Sequence, residues 1–441
     1  SGGFQGQDTP DSSIVQRCVR CGLCLPHCPT YQETLRETSS PRGRIHLIEA
    51  VGRGQLNLID RGFIQQMYQC LDCRACEAVC PSGVEYGKLV ESARTQIERA
   101  RPLPLFQRIL RKLIFKQLFG NMRIFRGMSR LLYLYQRSGL QWLAHHLGIL
   151  RLLRLAEAES LLPQLPSHFV VATDQRYSPQ AASGEATSLP VPGVALFNGC
   201  IMSTAFAETN RATIRVLQAH GCSVSLPSGQ GCCGALTIHA GDMDEARVMA
   251  RRNIEAFERS GIDFIVVNAA GCGAALKEYT HLLHDDPQFA ERAARFSARV
   301  RDISEFLLEI PAQPARHSLP LRVTYQEPCH LVHAQRISSA PRQLLKRIPG
   351  LELTEMAEAS FCCGSAGIYN LTQPVMSARL RARKTQHTVA TGAEVVITAN
   401  PGCLLQLRSG LKQQGSKIQV MHLVDILDRA YQQELSNDRA E

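Results

Sequence analysis

Cysteines in two short runs open the chain. CVRCGLCLPHCP sets Cys18, Cys21, Cys24 and Cys28 ahead of Pro29, and CLDCRACEAVCP repeats the spacing with Cys70, Cys73, Cys76 and Cys80 ahead of Pro81. In the pattern C-x2-C-x2-C-x3-C-P, three thiolates of one loop hold three corners of an iron–sulfur cube. The fourth lies too far along the chain to close that cube and ligates the neighbouring one. The spacing therefore predicts one 4Fe–4S cluster on Cys18, Cys21, Cys24 and Cys80, and a second on Cys70, Cys73, Cys76 and Cys28. CxxC pairs also suit tetrahedral zinc, but eight cysteines in two identical runs, each closed by proline, favour iron and sulfide.

Eight more cysteines fall in a repeat. FNGC (Cys200), GCCGA (Cys232, Cys233) and VVNAAGC (Cys272) correspond to YQEPC (Cys329), FCCGSAG (Cys362, Cys363) and VITANPGC (Cys403), at offsets of 129, 130 and 131 residues. Such constant offsets mark a duplicated domain. In each half the first and last cysteines directly follow an apolar run that reads as a strand, and the CC pair lies in the loop after a second one. All four then meet at the carboxyl edge of a parallel sheet, where open α/β folds build their sites. Glycines beside them let backbone N–H groups approach a bulky inorganic group. Cys200, Cys232, Cys233 and Cys272 form a first expected metal site, and Cys329, Cys362, Cys363 and Cys403 a second. Cys222 has no counterpart and reads as structural.

The elements that must position these thiols follow from pattern. Between the ferredoxin-type runs, Ser40 and Pro41 read as N-cap and first helical residue, with Ile45, Leu47, Ile48 and Val51 as the apolar stripe. Arg42 and Arg44 read as a solvated first turn, although cations there could also steady reduced clusters. After residue 193, the runs VALF, CSVSL, DFIVV, RVTY, LELTE, EVVIT and KIQV alternate with amphipathic stretches, giving parallel sheets covered by helices. The fold class is multidomain α+β. A small helical di-cluster ferredoxin-type domain (1–98) precedes a basic amphipathic helical segment (99–171) and a Ser-, Ala-, Pro- and Gly-rich linker (172–193). Two cysteine-rich α/β domains follow (194–310 and 311–441).

Composition agrees. The 441 residues are 44% hydrophobic and 20% charged, an ordinary globular balance that excludes disorder and coiled coil. Seventeen cysteines in tight groups point to metal in a reducing compartment rather than to a disulfide scaffold. Of the net charge of +10, residues 99–154 supply twelve cations and no anion. Those basic amphipathic helices suit an anionic membrane surface, a partner subunit, or packing on the protein itself. Nucleic acid is not expected, since no groove-reading motif appears. No apolar run could span a membrane, and the opening SGGFQGQDTP has neither the basic region nor the apolar core of a signal peptide.

These motifs, in this order, closely resemble the iron–sulfur subunit of bacterial glycolate oxidase from about Cys18 to the last helix. CPTYQ, PRGRI, CPSGV, GCCGA, GCGAALKEY, CCGSAG and TANPGC carry the likeness. The resemblance implies an electron-transfer subunit that takes electrons from FAD-binding partner subunits oxidising glycolate, a 2-hydroxy acid, and passes them to a quinone-type acceptor. It also implies a cytoplasmic chain, peripheral at the inner face of the cytoplasmic membrane. No GxGxxG motif occurs, so the flavin is expected on the partners. One departure stands out. The heterodisulfide reductase chain that has similar cysteine-rich domains carries a fifth cysteine per half for a noncubane cluster, where this chain has Ala275 and Gln406. Location of the metal sites is carried over, with one or two further iron–sulfur clusters expected there, but not the cluster type. In PCHLVHAQ, His333 fits the family pattern ahead of AQ and is the candidate for proton or cluster chemistry, with His330 and His239 behind it. The alternatives are a partner flavoprotein oxidising D-lactate or glycerol 3-phosphate, and a thiol/disulfide enzyme like heterodisulfide reductase.

Overall fold

A computed structural model describes residues 3–102, 104–148, 159, 162–180 and 193–432. The ferredoxin unit is built from short helices around the two cysteine loops. Ser40 caps helix Pro41–Gly52 by accepting from Gly43 N–H at 3.0 Å, and Asp60 caps helix Arg61–Gln69 through Phe63 N–H at 3.0 Å. Helix Tyr86–Ala100 places Leu89, Ala93 and Ile97 one turn apart on one face, all fully buried. That face meets Ile48, Val51, Phe63 and Met67, so three amphipathic helices share one core under the loops.

The two later domains repeat one topology. β1 (Gln175–Tyr177), β2 (Val194–Leu196), β3 (Val224–Leu226), β4 (Phe264–Val267) and β5 (Val300–Asp302) form a sheet in the order β1-β3-β2-β4-β5. β6 (Arg322–Tyr325), β7 (Glu352–Thr354), β8 (Val395–Thr398) and β9 (Gln419–His422) form the other in the order β7-β6-β8-β9. All pairings are parallel except that of β1 with β3. In both sheets the order reverses at the first strand of the half, β2 or β6, creating the crevice beyond its carboxyl end.

Two of these strands fall where the sequence gives other readings. β5 interrupts the stretch read as helical up to Ile310, and β1 lies within residues read as linker, of which 181–192 are outside the described residues.

The halves are not separate bodies. Helix Ala207–Ala219 packs along helix Leu423–Tyr431, and one apolar core runs from Val194 and Leu217 to Val323 and Leu427. Arg215 holds Asp428 at 2.6 Å across that contact. At the cysteine edge, Ala270 N–H donates to the Ala399 carbonyl at 3.1 Å and Gly271 N–H to Asn400 Oδ1 at 3.2 Å. The sheets are thus hydrogen-bonded to each other where their thiols lie.

The basic segment forms helix Leu105–Arg111, a π-helical stretch Lys112–Phe119, helix Met122–Arg137 and helix Leu140–His146. Its inner side meets the first cysteine-rich half: Phe119, Met122 and Phe125 pack over Cys200, Cys232 and Met249. Its outer side leaves apolar residues in solvent, Leu131 at 61% exposure and Trp142 at 62%. No described helix is long and apolar enough to cross a membrane.

Candidate metal centres

The first loop turns inward through two left-handed residues, Arg20 (φ 57°) and Gly22 (φ 87°), and the second repeats them at Asp72 (φ 52°) and Arg74 (φ 59°). Alternating hand points successive N–H groups into one concavity, a nest that receives anions and iron–sulfur groups. Asp72 and Arg74 hold this shape without glycine, at about 1–3 kcal/mol each, which marks a constrained site. Cys18, Cys21, Cys24 and Cys80 line one cleft, closed by Pro81 and Tyr86, and Cys76 of the other set reaches its wall. Cys21 is exposed, whereas burial pushes the Cys24 thiol up to about 11.

Cys28, Cys70, Cys73 and Cys76 come together deeper in the fold, and all four are buried. Burial, then the neighbouring thiols, drives Cys73 and Cys76 well above the ordinary thiol range, so ionised sulfur there requires bound positive charge. Tyr86 Oη donates toward Cys70 Sγ at 3.6 Å and Asp72 N–H at 3.3 Å. Arg44, read from sequence as solvated, is 1% exposed here because helix Pro41–Gly52 turns that face onto the second loop. Its Nε donates to the Gln66 carbonyl at 2.8 Å, and its buried Nη2 has no hydrogen-bond partner among the described residues. Burial opposes its charge, but Cys70, Tyr86 and Cys28 outweigh it and hold its pKa above the ordinary value. A guanidinium nitrogen orphaned among thiols fits an anionic cluster as its acceptor. Arg42 is half-buried: it pairs with Glu37 at 2.6 Å, donates to the Arg20 carbonyl at 3.0 Å and lines the cleft of Cys18, Cys21, Cys24 and Cys80.

All eight cysteines of the duplicated domains line a single cavity of about 150 Å³. Cys200 caps the helix after β2, Cys272 and Cys403 sit in the first turns of helices Ala270–Lys277 and Pro401–Gln413, and the CC pairs follow β3 and β7. Cys200 and Cys232 sulfurs lie 3.7 Å apart, and those of Cys363 and Cys403 3.6 Å apart. Gly364 (φ 85°) makes the turn after the second pair, where a Cβ would stand 2.8 Å from the Ser377 carbonyl. The two expected sites therefore face each other rather than occupy separate surfaces. Ala275 packs in the first domain's core, and Gln406 Nε2 donates to Ser377 Oγ at 2.9 Å.

His239 and His330 line the same cavity, their rings 5.3 Å apart. Burial, followed by His239, pushes His330 down to about 4, which leaves it neutral. His333 is not among the lining residues; its Nε2 lies 3.1 Å from the Ser360 carbonyl. Behind His239 stands a buried polar cluster that the sequence does not announce, because its members come from three distant segments. Asp72 Oδ2 lies 3.1 Å from His239 Nδ1, and Arg74 pairs with Glu91 at 3.4 Å and with Glu278. Burial opposes ionisation of Asp72, yet the His239 hydrogen bond and the charges of Arg74 and Arg94 hold its carboxyl well below the usual range. Burial, then Asp72, drives Glu91 upward. On the other side, Cys73 belongs to the same packed cluster as Cys362, with Cys329 against it, so the ferredoxin unit adjoins the second half through its thiol-bearing loops.

Three family models match the chain. One described as a 4Fe-4S dicluster domain covers residues 14–84, the linker region of the glycolate oxidase iron-sulfur subunit covers 106–162, and a cysteine-rich domain matches twice, over 194–277 and 323–408. A probable glycolate oxidase iron-sulfur subunit of Bacillus subtilis is 43% identical over 95% of this chain and 94% of its own. The glycolate oxidase iron-sulfur subunit of Escherichia coli is 33% identical over 96% and 95%. A lactate utilization protein A of Exiguobacterium is 31% identical, across 55% of this chain and 100% of its own. Fold and sites define an iron–sulfur electron-transfer protein in which a dicluster ferredoxin serves a duplicated cysteine-rich domain. Within that class, the chain belongs to the family of glycolate oxidase iron–sulfur subunits.

Proposed function

We propose that this chain is the electron-relay subunit of a flavin-dependent complex oxidising glycolate, with FAD on partner subunits and a quinone-type acceptor. Iron–sulfur clusters accept and release electrons singly, which lets a relay divide the two-electron output of a flavin. In this reading Cys18, Cys21, Cys24 and Cys80 hold the entry cluster, since Cys21 is the exposed thiol. Cys28, Cys70, Cys73 and Cys76 hold the next, and the cysteine-rich halves hold one or two more. The observation that carries it is that Cys73 shares one packed apolar cluster with Cys329 and Cys362, two of the thiols that line the shared cavity. Reconstitution tests it. The purified chain, free of flavin, should not oxidise glycolate, and adding the flavoprotein partners should make glycolate bleach its clusters. Bleaching by D-lactate but not glycolate would reassign the substrate, and turnover by the chain alone would refute the relay.

A second observation favours contact with the cytoplasmic face of the membrane. The outer side of the basic segment combines exposed Leu131, Leu134 and Trp142 with exposed Lys112, Arg123, Arg130 and Arg137, the pairing by which an interfacial helix binds anionic lipid. His333, off the cavity, is retained as a candidate for orienting the Ser360–Cys363 loop rather than for moving protons.

A further inference from the structure

The duplicated halves agree in topology and differ in charge. Counted back from the last cysteine of each half, Lys384 in helix Pro374–Ala390 stands where the first half has Asn253 in helix Met243–Glu258. Both are buried, Asn253 at 0% and Lys384 at 1% exposure, and both pin the loop carrying the paired cysteines. Asn253 Nδ2 donates to the Cys232 carbonyl at 2.9 Å, and its Oδ1 accepts from Gly231 N–H at 2.8 Å. Lys384 Nζ donates to the carbonyls of Glu358 and Ala359, the second at 3.1 Å, at the start of the loop that reaches Cys362 and Cys363. Burial lowers the pKa of its ammonium, and Cys363, Cys362 and Cys403 are the groups within electrostatic reach that oppose this and favour the charged form. An amide and a cation fill equivalent places, and in a water-poor interior only the cation strongly favours added negative charge.

The covering of the halves differs in the same sense. Phe119, Met122 and Phe125 pack on Cys200 and Cys232, and the carboxylates of Asp72 and Glu91 face His239 of the first half. In the second half, Cys362 and Cys329 share a packed cluster with Cys73, and His330 Nε2 lies 2.9 Å from the Asp72 carbonyl of the same loop. We propose that the second half takes the electron from the ferredoxin unit, and that Lys384 is the positioning residue that makes it the better acceptor. This rests on the reading that the cysteine-rich halves hold iron–sulfur clusters. One electron moves: the group at Cys28, Cys70, Cys73 and Cys76 is oxidised by one, the group at Cys329, Cys362, Cys363 and Cys403 is reduced by one, and no bond or proton changes.

The test is a redox titration of the full chain followed by electron paramagnetic resonance, with iron assayed in parallel. Lys384→Gln keeps hydrogen-bond donors and drops the charge. It should lower the reduced-to-oxidised ratio of one cysteine-rich-domain signal about tenfold at fixed potential, a shift of about 59 mV for one electron, at unchanged iron. Lys384→Arg should hold the parent potential, and Asn253→Leu should leave that signal in place. An unshifted signal in iron-replete Lys384→Gln, or an equal shift in Asn253→Leu, overturns the inference and leaves the cluster reading standing. A parent chain with only about eight irons and no signal beyond the ferredoxin clusters overturns the cluster reading, and the inference with it.

Discussion

Replacing Arg44 by Met removes a buried charge while keeping most of the stem that fills the space. The perturbation falls on one ferredoxin cluster, because the guanidinium lies among Cys28, Cys70 and Tyr86 and not in the cleft of Cys18, Cys21, Cys24 and Cys80. At an effective dielectric constant of about 20, unit charges about 8 Å apart interact by about 2 kcal/mol. For one electron that is ~90 mV. Loss of the hydrogen bond to the Gln66 carbonyl costs about 1 kcal/mol of stability, partly offset because the unpartnered Nη2 disappears with it. The expected result in a potentiometric titration is one of the two ferredoxin signals moving ~90 mV more negative and the other by a smaller amount, because the Coulomb interaction falls with distance. Arg42→Met is the comparison, since that residue lines the other cleft, so any shift it causes falls on the signal of the Cys18, Cys21, Cys24 and Cys80 set and not on the one that Arg44 moves. If both signals keep their potentials in Arg44→Met at full iron content, the guanidinium does not face a cluster and the placement of the Cys28 set is wrong.

Changing Cys232 and Cys233 together to Ser should remove about four irons and leave the ferredoxin signals, with Cys362 and Cys363 behaving likewise; an iron count unmoved by both variants would mean that the shared cavity holds no cluster. Exchanging Lys112, Arg123, Arg130 and Arg137 for Gln should weaken binding to anionic vesicles by about 1 kcal/mol per charge without loss of iron, and sedimentation unchanged at low and high salt would exclude the lipid contact. Asp302, buried at the start of helix Ile303–Glu309, has its carboxyl pushed up to about 6, chiefly by burial. A pKa raised above the unfolded value favours folding below about pH 4, and that benefit is lost as pH rises through 6. Asp302→Asn, which keeps a capping oxygen, should therefore gain on the parent by about 1–3 kcal/mol between pH 4 and 7 in denaturant titrations; a difference independent of pH would contradict the raised value.

Apolar runs with period two or none made the seven strands from VALF to KIQV legible, because buried parallel strands are continuous hydrophobic segments. β5 was hidden by its charge: Val300–Asp302 buries Val300 and Asp302, and only Asp302's role as a helix cap explains an acid there. β1 has no pattern, being three residues whose partner, β3, supplies the hydrogen bonds. The cysteine motifs stand out because their spacing is local in each loop and in register across the repeat. What was not readable is whatever depends on the docking of distant segments. Examples are the burial of Arg44, the cluster of Asp72, Glu91 and His239, the choice of His330 over His333 as a cavity residue, and the merging of two expected sites into one cavity. Lys384 sits in the ordinary-looking sequence RARKTQ, and its meaning appears only beside Asn253 in the other half.

β1 has a bearing on how this chain can be cut. It pairs antiparallel with β3 over Gln175–Tyr177 and so occupies the hydrogen-bonding flank that would otherwise end the first sheet. Among the described residues the equivalent flank of the second sheet, β7, has no such cover but carries exposed Glu352, a charge that discourages a foreign strand from adding there. A fragment starting at residue 193 keeps every thiol of the duplicated domains and loses that flank guard. β3, whose residues Val224, Ser225 and Leu226 carry no charge to repel a newcomer, then becomes a template for self-association. Such a fragment is expected to polymerise edge to edge, whereas one starting at residue 172 stays dispersed.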